Sequence, residues 1–413
     1  MAPSSKSYTH RAVILSSLTN GQSQIYNPLL SRDTNASIDA CKLLGAHISL
    51  HDDSLIINGS NQLQTPKKTI NVENSGTTLR ILAGISNLTS PDADVIITGD
   101  ESIQKRPIQP LLNSLNDIGG KCFSMNGDGH PPIIVKGGGI KGGVTQIQGN
   151  ISSQFISSLL ITATQAEKET IIKLDGTPVS TPYIDMTTSL LAKFGAKIKS
   201  DNYSKFIVEP KNFSPQKIQV PGDFSSASIL MALAAVNKSK ITVTNLNINS
   251  IQGDVKILDI LRKMGAKISI NENEITVSSD GLSGNNFNLN DTPDLLPVVA
   301  VMALSAEGET IISGVEHARF KESDRIKILY NELSKLGVKI IEKKDGLKII
   351  GTKKLHGNEL NCYDDHRLFM VLCIASTICD KPCIINGAES IDVSYPLFLR
   401  DIKQLGVEVI YND

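Results

Sequence analysis

The chain of 413 residues contains no tryptophan, and aromatic residues make up only 4% of it. Surfaces that bind nucleic acid by stacking bases need aromatic rings, so this composition argues against a nucleic-acid partner. The formal net charge is −1, which gives no general attraction to nucleic acid or to a membrane surface. A site for an anionic ligand would therefore have to be built locally from a few side chains.

Long apolar runs are also absent. No stretch approaches the roughly 18 apolar residues of a membrane-spanning helix, and the N-terminus lacks the apolar core of a signal peptide. We therefore expect a soluble cytoplasmic protein without a membrane partner.

Cysteine is present at six positions, but no pair has the CxxC spacing of a metal or redox motif. Four of the six crowd the last fifth of the chain without a matching set of histidines. We interpret all six as small buried hydrophobic side chains in a reducing compartment. They are Cys41, Cys122, Cys362, Cys373, Cys379 and Cys383.

Arginine is the scarce cation, because only nine of the 41 Lys and Arg residues are arginine. The guanidinium group binds phosphate and carboxylate in a fixed two-pronged geometry that lysine cannot reproduce. Each arginine is therefore a candidate for a specific role. The nine are Arg11, Arg32, Arg80, Arg106, Arg262, Arg319, Arg325, Arg367 and Arg400.

Six copies of one unit recur along the chain at intervals of 69 to 76 residues. Each copy contains a helix end, a glycine that takes the left-handed conformation of a helix C-cap, and then an alternating strand. The six glycines are Gly45, Gly119, Gly195, Gly265, Gly337 and Gly406.

A second series with the same period precedes apolar helical runs and predicts six helix N-termini. Its members are Lys6-Ser7, with Ser7 as the cap, residues 74–77, residues 152–154, residues 223–226, Pro293-Asp294 and residues 365–367. Equivalent helix N-termini can converge on one anion, because their N–H groups and dipoles favour negative charge.

Between these markers strands alternate with helices, which indicates an α/β protein of mixed sheets with helices packed inside. The Pro221-Gly222 pair falls after three repeats and suits a crossover between domains. We predict an N-terminal lobe at residues 6–220 and a C-terminal lobe at residues 221–413 together with residues 1–5. We expect the active site in the cleft between them.

The densest cluster of charges lies between residues 317 and 325, where three cations (Arg319, Lys321, Arg325) accompany two acids (Glu322, Asp324). A helix from Ser323 onward would place Lys321 and Glu322 at its N-terminus, beside a bound phosphate or carboxylate. Glu322 could then carry a proton. The alternative is a solvated charged face in which the acids offset the cations.

Eight stretches together resemble the EPSP synthase family, the 3-phosphoshikimate 1-carboxyvinyltransferases, in order and spacing. They are Ser5-Lys6-Ser7 with Arg11, residues 74–77, Asp100 with Arg106-Pro107, residues 152–154, residues 180–183, Pro293-Asp294, residues 321–325 and residues 365–367. The combination of Lys-Glu-Ser-Asp-Arg with a downstream Asp-His-Arg is the most specific part of the resemblance.

The resemblance implies two lobes, each of three βαβαββ-type units around a pseudo-threefold axis, which is the enolpyruvyl transferase fold. It implies transfer of the enolpyruvyl group of phosphoenolpyruvate to the 5-hydroxyl of shikimate 3-phosphate, with release of phosphate, in the shikimate pathway of aromatic amino-acid biosynthesis. It also implies no metal and no organic cofactor. We expect a monomer whose only partners are these two substrates.

By the same resemblance, shikimate 3-phosphate is bound by Lys6, Ser7, Arg11, Ser152, Ser153, Gln154, Ser180, Tyr183, Asp294, His317 and Lys321. Phosphoenolpyruvate is bound by Lys6, Asn74, Gly76, Arg106, Gln154, Arg325, His366 and Arg367. Asp294 is expected to act as the base at the 5-hydroxyl, and Glu322 and Lys321 are the two candidates for delivering a proton to carbon. Two phosphate esters, each carrying roughly −1.5 to −2 charges, need such a set of cations.

Three positions depart from the family pattern. Members usually have a further strand of about ten residues before the first motif, so we expect the second lobe to lack an edge strand. Many members have a lysine near the C-terminus where this chain has Val393, with Arg400 as the candidate replacement. His317 stands where many members have asparagine.

Two other functions remain as alternatives. UDP-N-acetylglucosamine enolpyruvyl transferases share the fold and the donor, but they have Lys-Asn at the first motif and a cysteine before the arginine of the third. This chain has Lys6-Ser7, and residues 99–106 contain no cysteine. A non-catalytic anion-binding protein would be expected to lose Asp294, Glu322 or Arg325, and all three are present.

Overall fold

The computed structural model describes residues 1–411, and the chain divides into two units. The N-terminal unit is Ser4–Val220, and the C-terminal unit is Pro221–Asp413 together with Met1–Pro3. The first three residues join the C-terminal unit through backbone hydrogen bonds. Ala2 N–H donates to the Thr244 carbonyl at 3.0 Å, and Asp223 N–H donates to the Pro3 carbonyl at 2.8 Å.

The N-terminal unit contains seven α-helices and twelve strands. The helices are α1 (Lys6–Ser17), α2 (Arg32–Leu43), α3 (Gly76–Ile85), α4 (Glu101–Gln104), α5 (Gln109–Asp117), α6 (Ser153–Ala163) and α7 (Thr181–Lys193). The strands are β1 (Gly21–Tyr26), β2 (His47–His51), β3 (Ser54–Gly59), β4 (Ile70–Asn71), β5 (Asp94–Thr98), β6 (Cys122–Ser124), β7 (Ile133–Lys136), β8 (Gly143–Gln148), β9 (Thr170–Asp175), β10 (Ile198–Asp201), β11 (Lys205–Val208) and β12 (Lys217–Gln219).

The described part of the C-terminal unit contains six α-helices and nine strands. The helices are α8 (Phe224–Val236), α9 (Ile257–Lys263), α10 (Leu296–Leu304), α11 (Arg325–Ser334), α12 (His366–Ser376) and α13 (Phe398–Gln404). The strands are β13 (Lys240–Val243), β14 (Lys267–Asn271), β15 (Glu274–Ser278), β16 (Asn286–Asn288), β17 (Glu309–Ser313), β18 (Lys339–Lys343), β19 (Gly346–Ile350), β20 (Glu359–Asn361) and β21 (Ile384–Asn386).

Four of the six sheets share one pattern of strand pairing. A parallel edge strand is followed by three antiparallel strands, in the orders β12-β1-β3-β2, β4-β5-β7-β6, β8-β9-β11-β10 and β16-β17-β19-β18. The repeated pairing confirms that the periodic sequence signals mark copies of one structural unit.

The other two sheets lie in the C-terminal unit and are incomplete within residues 1–411. The sheet β13-β15-β14 has the three antiparallel strands but no parallel edge strand. The sheet β20-β21 has the parallel pair alone. This agrees with the expectation that the second lobe is short of an edge strand.

All six predicted C-cap glycines adopt the expected backbone conformation, with φ between +89° and +103°. After the first five, a strand begins within three residues and pairs with the strand that follows it, as β2 does with β3. The predicted strand after Gly406 is wrong, because residues 407–411 have no strand assignment. A strand needs a hydrogen-bonded neighbour, and no described strand pairs with this segment.

The core of each unit is built around helices that are buried on all sides. Every residue of α8 and of α10 is buried, which explains why these helices read as continuous apolar runs rather than amphipathic ones. In the N-terminal unit, α3 and α6 are buried over nearly their whole length. No helix in the described residues is long and apolar enough to cross a membrane.

Candidate active site

Three helices of the N-terminal unit bring predicted site residues together. Arg11 Nη2 on α1 donates to Ser157 Oγ on α6 at 3.2 Å, and Arg80 Nη1 on α3 donates to Gln154 Oε1 at the start of α6 at 2.9 Å. The N-terminal parts of α1, α3 and α6 therefore meet. Unpaired N–H groups at helix starts make such a region suitable for an anion.

Serine side chains cap these three helices. Ser75 Oγ accepts from Thr78 N–H at 3.3 Å, and Ser152 Oγ accepts from Gln154 N–H at 3.2 Å. The predicted cap Ser7 is wrong, because Ser5 has the extended backbone of an N-cap and accepts from Tyr8 N–H at 3.4 Å. Ser7 lies in the first turn of α1.

Lys6 is held by an acid that the sequence analysis missed. Its Nζ lies 2.9 Å from Asp33 Oδ2, and both side chains are largely buried. Asp33 follows the cap of α2, 27 residues away, and no local motif connects the two positions. The ion pair orients the ammonium group at the start of α1.

Arg11 is embedded in the protein. Its guanidinium donates to Thr187 Oγ1 at 2.8 Å and to the backbone carbonyls of Ser7 at 3.0 Å and Tyr183 at 3.4 Å, besides Ser157. Burial lowers its pKa to about 10, which keeps it charged at neutral pH. These bonds leave one N–H of Nη1, so Arg11 mainly joins α1 to α6 and α7.

Gly76 is the point at which two guanidinium groups approach the backbone. A Cβ at this position would collide with Nη1 of both Arg80 and Arg106, so a larger residue would have to displace the two guanidinium groups. Arg80 also lies over the ring of Phe155, 5.6 Å from its centre. Arg80 is a site residue that was not predicted, although its rarity and its position one turn after Gly76 were usable signals.

Arg106 is fixed by side chains from the same unit. Its Nη2 donates to Asn74 Oδ1 at 3.1 Å and to Ser102 Oγ at 3.0 Å. Asn74 in turn donates to Asp100 Oδ2 at 2.7 Å. Nε of Arg106 is buried and has no hydrogen-bond partner within residues 1–411.

The remaining predicted residues of this unit lie at the starts of α6 and α7. Ser153 is buried at the first position of α6, and Gln154 also donates to Thr77 Oγ1 at 3.1 Å. Ser180 precedes α7 with a positive φ of 55°, a conformation that costs energy for a residue with a side chain. Tyr183 lies one turn further on and is half-buried.

In the C-terminal unit, the buried guanidinium of Arg325 is surrounded by three carboxylates. Nη1 donates to Asp294 at 2.7 Å, Nη2 to Glu322 at 2.7 Å, and Nε to Asp365 at 2.8 Å. The side chain is 1% exposed. The three acids raise the pKa of Arg325 well above its ordinary value, although burial alone would lower it.

Asp294 has a second and a third cation beside it. Arg367 Nη2 lies 3.4 Å from its other carboxylate oxygen, and Lys321 Nζ lies 4.0 Å from Oδ1. Burial opposes ionisation, but the charges of Arg367, Lys321 and Arg325 hold the pKa of Asp294 well below its usual range. Asp294 is therefore a carboxylate at neutral pH.

The prediction that Lys321 and Glu322 lie at a helix N-terminus is wrong. Helix α11 begins at Arg325, and Asp324 is its cap, because Asp324 Oδ1 accepts from Lys327 N–H at 3.0 Å. Lys321 and Glu322 belong to the connection that precedes it. Burial lowers the pKa of Lys321 despite the nearby Asp294 carboxylate.

Asp365 is a second acid that the sequence analysis did not assign to the site. It caps α12, accepting the N–H groups of Arg367 at 3.0 Å and Leu368 at 3.4 Å, and it also accepts from Ser323 Oγ at 3.0 Å. Its side chain is 0% exposed. One carboxylate thus fixes the start of α12, which carries His366 and Arg367, relative to Arg325.

The other residues that the sequence singled out in this unit differ from one another in burial and in ion pairing. His317 is buried in a short 3-10 helix, and burial together with Lys321 lowers its pKa to about 4, so it is neutral. Arg319 forms ion pairs with Asp324 and Glu342, in which a guanidinium nitrogen lies 2.9 Å from a carboxylate oxygen of each acid. Val393 is fully buried, and its candidate replacement Arg400 is paired with Asp401 at 2.8 Å.

Two further buried acids lie near this network and were also missed. Asp223 accepts from Ser226 Oγ at 2.9 Å, and Asp254 is bonded to Ser225 Oγ. Burial, together with the charge of Asp294, raises the pKa of Asp254 to about 7. Asp223 was recognised only as a helix cap.

The two groups of residues therefore differ in charge. In the N-terminal unit Lys6 pairs with the acid Asp33. Arg11, Arg80 and Arg106 donate to neutral hydroxyl, amide and carbonyl oxygens. In the C-terminal unit the cations Lys321, Arg325 and Arg367 are matched by the acids Asp294, Glu322 and Asp365. The first arrangement is suited to binding anions, and the second to holding ionised groups in fixed positions for proton transfer.

The repeated units, together with the grouped cations and acids, indicate that the chain has the enolpyruvyl transferase fold. The structure superimposes on an EPSP synthase from Acinetobacter baumannii with a TM-score of 0.82 and 26% identity, covering 100% of this chain and 96% of that one. The enolpyruvyl transferase NikO from Streptomyces tendae, at 15% identity, shares the fold with a TM-score of 0.80 over 100% of this chain and 95% of that one. These comparisons confirm the predicted fold class.

Sequence comparison gives the family. The model of the family described as EPSP synthase (3-phosphoshikimate 1-carboxyvinyltransferase) matches residues 1–402. The 3-phosphoshikimate 1-carboxyvinyltransferase of Methanococcus maripaludis strain C6 is 44% identical over 99% of this chain and 96% of its own length. That of Nitrosopumilus maritimus is 43% identical over the same shares. The chain belongs to the EPSP synthase family.

The Arg325 network yields a stability prediction. Replacing Arg325 with Met leaves three buried carboxylates without their cation, and we expect a loss of about 3 to 5 kcal/mol in the free energy of unfolding. The matched control is Arg319→Met, which breaks partly exposed ion pairs and is expected to lose only about 1 kcal/mol. Urea unfolding at pH 7 measures both.

The pH dependence of unfolding gives a second comparison of the variants Arg325→Met and Arg319→Met. In the native chain the lowered pKa of Asp294 stabilises the fold above its ordinary pKa, and this stabilisation disappears as the pH falls through the lowered value. Without Arg325, Asp294 loses one of the three cations that lower its pKa, so this pKa rises toward the ordinary value of 3.8. The deficit of Arg325→Met should therefore shrink as the pH falls below 3.8. Equal losses in the two variants, or a deficit independent of pH, would contradict the described role.

Proposed function

We propose that this protein transfers the enolpyruvyl group of phosphoenolpyruvate to the 5-hydroxyl of shikimate 3-phosphate and releases phosphate, a step of the shikimate pathway. The observation that carries the proposal is the presence, in one chain, of a cationic cluster around Gly76 and an acid–base cluster around Arg325. A reaction between two anions that also moves protons needs both.

Binding of the anionic groups is assigned to the cationic cluster. We propose that Arg106, with its unpartnered Nε, and Lys6 hold phosphoenolpyruvate together with Gly76, Asn74 and Gln154. The guanidinium fork matches a phosphate or carboxylate in two parallel hydrogen bonds. Shikimate 3-phosphate binds at the serine-rich starts of α1, α6 and α7. Those contacts come from Lys6, Ser7, Arg11, Ser152, Ser153, Gln154, Ser180 and Tyr183.

Proton transfer is assigned to the acid–base cluster. Addition of the 5-hydroxyl to the double bond requires one proton to leave oxygen and one to reach the methylene carbon. Asp294 acts as the base at the 5-hydroxyl. His317 and Lys321 also contact shikimate 3-phosphate. Arg325, His366 and Arg367 take the contacts to phosphoenolpyruvate.

The geometry favours Lys321 over Glu322 as the proton donor to carbon. Glu322 is bonded to the buried cation Arg325 at 2.7 Å, and such a partner favours the ionised carboxylate, which has no proton to give. Burial lowers the pKa of Lys321, which makes its ammonium group a stronger acid than an exposed lysine. Glu322 then serves to orient Arg325.

The direct test is phosphate release from phosphoenolpyruvate by the purified protein. We expect release with shikimate 3-phosphate as acceptor and none with UDP-N-acetylglucosamine, the acceptor of the alternative enzyme. Release with the nucleotide sugar alone would establish that alternative. A protein that releases phosphate with neither acceptor, while still binding phosphoenolpyruvate, would be the non-catalytic anion-binding protein.

The role of Arg106 can be tested by a change that keeps its charge. Arg106→Lys removes the fork geometry and the bonds to Asn74 and Ser102, so we expect weaker binding of phosphoenolpyruvate by roughly tenfold or more. The affinity for shikimate 3-phosphate should hardly change and serves as the internal control. Titration calorimetry measures both, and an equal loss for the two substrates would refute a specific contact.

The two acids are separated by their effect on proton exchange. Asp294→Asn keeps the shape but removes the charge, so turnover should fall roughly 10²-fold with substrate binding retained. Glu322→Gln should lower turnover yet leave exchange of solvent deuterium into the methylene group detectable, because Lys321 still carries the proton. Mass spectrometry of recovered phosphoenolpyruvate gives the exchange rate. Loss of exchange in Glu322→Gln, with normal exchange in Lys321→Arg, would reverse the assignment.

We further propose that the two lobes enclose the substrates in a cleft and that the protein is a cytoplasmic monomer. A substrate that contacts groups of both lobes binds the closed form more tightly than the open one, so it should favour closure. Small-angle X-ray scattering with and without shikimate 3-phosphate plus glyphosate should show a smaller radius of gyration for the bound form and a monomer mass in both. An unchanged radius in a sample saturated with ligand would count against closure.

A further inference from the structure

The cysteines fall into two groups by exposure. Four are buried, namely Cys41, Cys122, Cys362 and Cys373, as the sequence analysis expected. The expectation is wrong for Cys379 and Cys383, which are only partly buried. These two lie in the turn after α12, where the chain reverses before β21, and a turn on the surface cannot bury both side chains.

The two partly buried cysteines face each other. Their sulfur atoms lie 4.0 Å apart. Cys379 Sγ also contacts the Ala375 carbonyl at 3.4 Å, and Cys383 N–H donates to Ser376 Oγ at 3.0 Å. Both ends of the turn are thus tied to the last residues of α12, which holds the sulfurs close.

We propose that Cys379 and Cys383 form a redox-active pair that closes reversibly to a disulfide. Rotation of the side chains has to shorten the distance between the sulfurs from 4.0 Å to the roughly 2 Å of a bond, and the turn between them is short. Their partial exposure lets a small oxidant reach them. This site is separate from every residue assigned to enolpyruvyl transfer.

A metal site is the other chemistry that neighbouring thiols support, and the surroundings do not favour it. Structural zinc sites use four ligands. Within the described residues, no group of three or more His, Cys, Asp or Glu side chains is placed to hold a metal ion. Two thiols without further ligands are suited to oxidation.

The oxidant we assign is a peroxide. The Cys383 thiolate attacks one peroxide oxygen, the O–O bond breaks, and the leaving hydroxide takes a proton to become water, which leaves a sulfenic acid on Cys383. Cys379 then attacks that sulfur, and hydroxide leaves with the Cys379 proton as a second water. Two thiols lose two electrons, and the peroxide gains them. A dithiol reductant reverses the step.

Cys383 is the better first nucleophile. The neighbouring Cys379 thiol lowers the pKa of Cys383 to about 6, whereas the same contact and burial raise the pKa of Cys379. At neutral pH the more reactive thiolate therefore resides on Cys383, and Cys379 is the resolving thiol.

Oxidation should leave the catalytic groups in place. Arg367 lies at the start of α12 and the cysteines follow its end, so roughly 14 Å of helix separates them. The bond would join the end of α12 to the segment that leads into β21. The readout is therefore thiol chemistry, which does not depend on the proposed enzymatic function.

Thiol titration with an aromatic disulfide reagent tests the proposal on the intact protein. We expect two reactive thiols in the native state and six in denaturant. After one equivalent of hydrogen peroxide and removal of the excess, we expect none in the native state and four in denaturant. Reduction with dithiothreitol should restore the original numbers.

Peptide mapping identifies the partners, because Asp380 lies between the two cysteines. After digestion of the oxidised, alkylated protein with a protease that cleaves before aspartate, the two peptides should stay joined and weigh two hydrogens less than their sum. Cys379→Ser and Cys383→Ser should each abolish the joined pair and leave one native thiol. The control Cys41→Ala, in the other unit, should keep it.

Two results would overturn the proposal. The first is persistence of both native thiols after peroxide treatment, or their conversion only to separate sulfinic acids. The second is a joined pair in Cys379→Ser, which would show that Cys373 or Cys362 is the true partner of Cys383.

Discussion

The C-terminal unit depends on one interaction, the enclosure of the Arg325 guanidinium by Asp294, Glu322 and Asp365. The cost of removing this charge from water, at 1% exposure, is offset by three acids held in fixed positions around it. Asp365 in turn caps α12, and Asp294 precedes α10, so the same cation fixes the starts of two helices of the core. Together with Arg367 and Lys321, this cation also lowers the pKa of Asp294.

Much of the fold could be predicted from the sequence because its strongest signals are local. A left-handed glycine after a helix and a polar cap before one are chemical requirements that repeat with the unit. All six glycines therefore adopt the predicted conformation. The prediction failed at residues 407–411, because a strand depends on a hydrogen-bonded neighbour elsewhere in the chain, and local pattern does not report one.

The site was less predictable, because its geometry rests on pairs distant in sequence. Asp33 with Lys6 and Asp365 with Arg325 are separated by 27 and 40 residues, so neither acid stood out beside its partner. Arg80 was visible as a scarce arginine, yet only the folded structure shows its contact with Gln154 and its approach to Gly76. The prediction that all six cysteines are buried failed for Cys379 and Cys383, because composition does not show that a surface turn leaves these two thiols only partly buried.

The division of charge between the two units has a physical reason under the proposed function. A cluster that must capture anions gains by leaving cations without acids, since each unneutralised charge raises the affinity for phosphate. A cluster that must move protons gains by being neutral overall, because its members then keep fixed protonation states and positions before the ligand arrives. Gly76 serves the first by admitting Arg80 and Arg106, and Arg325 serves the second by holding three carboxylates. Affinity and proton transfer can therefore be altered separately by mutation.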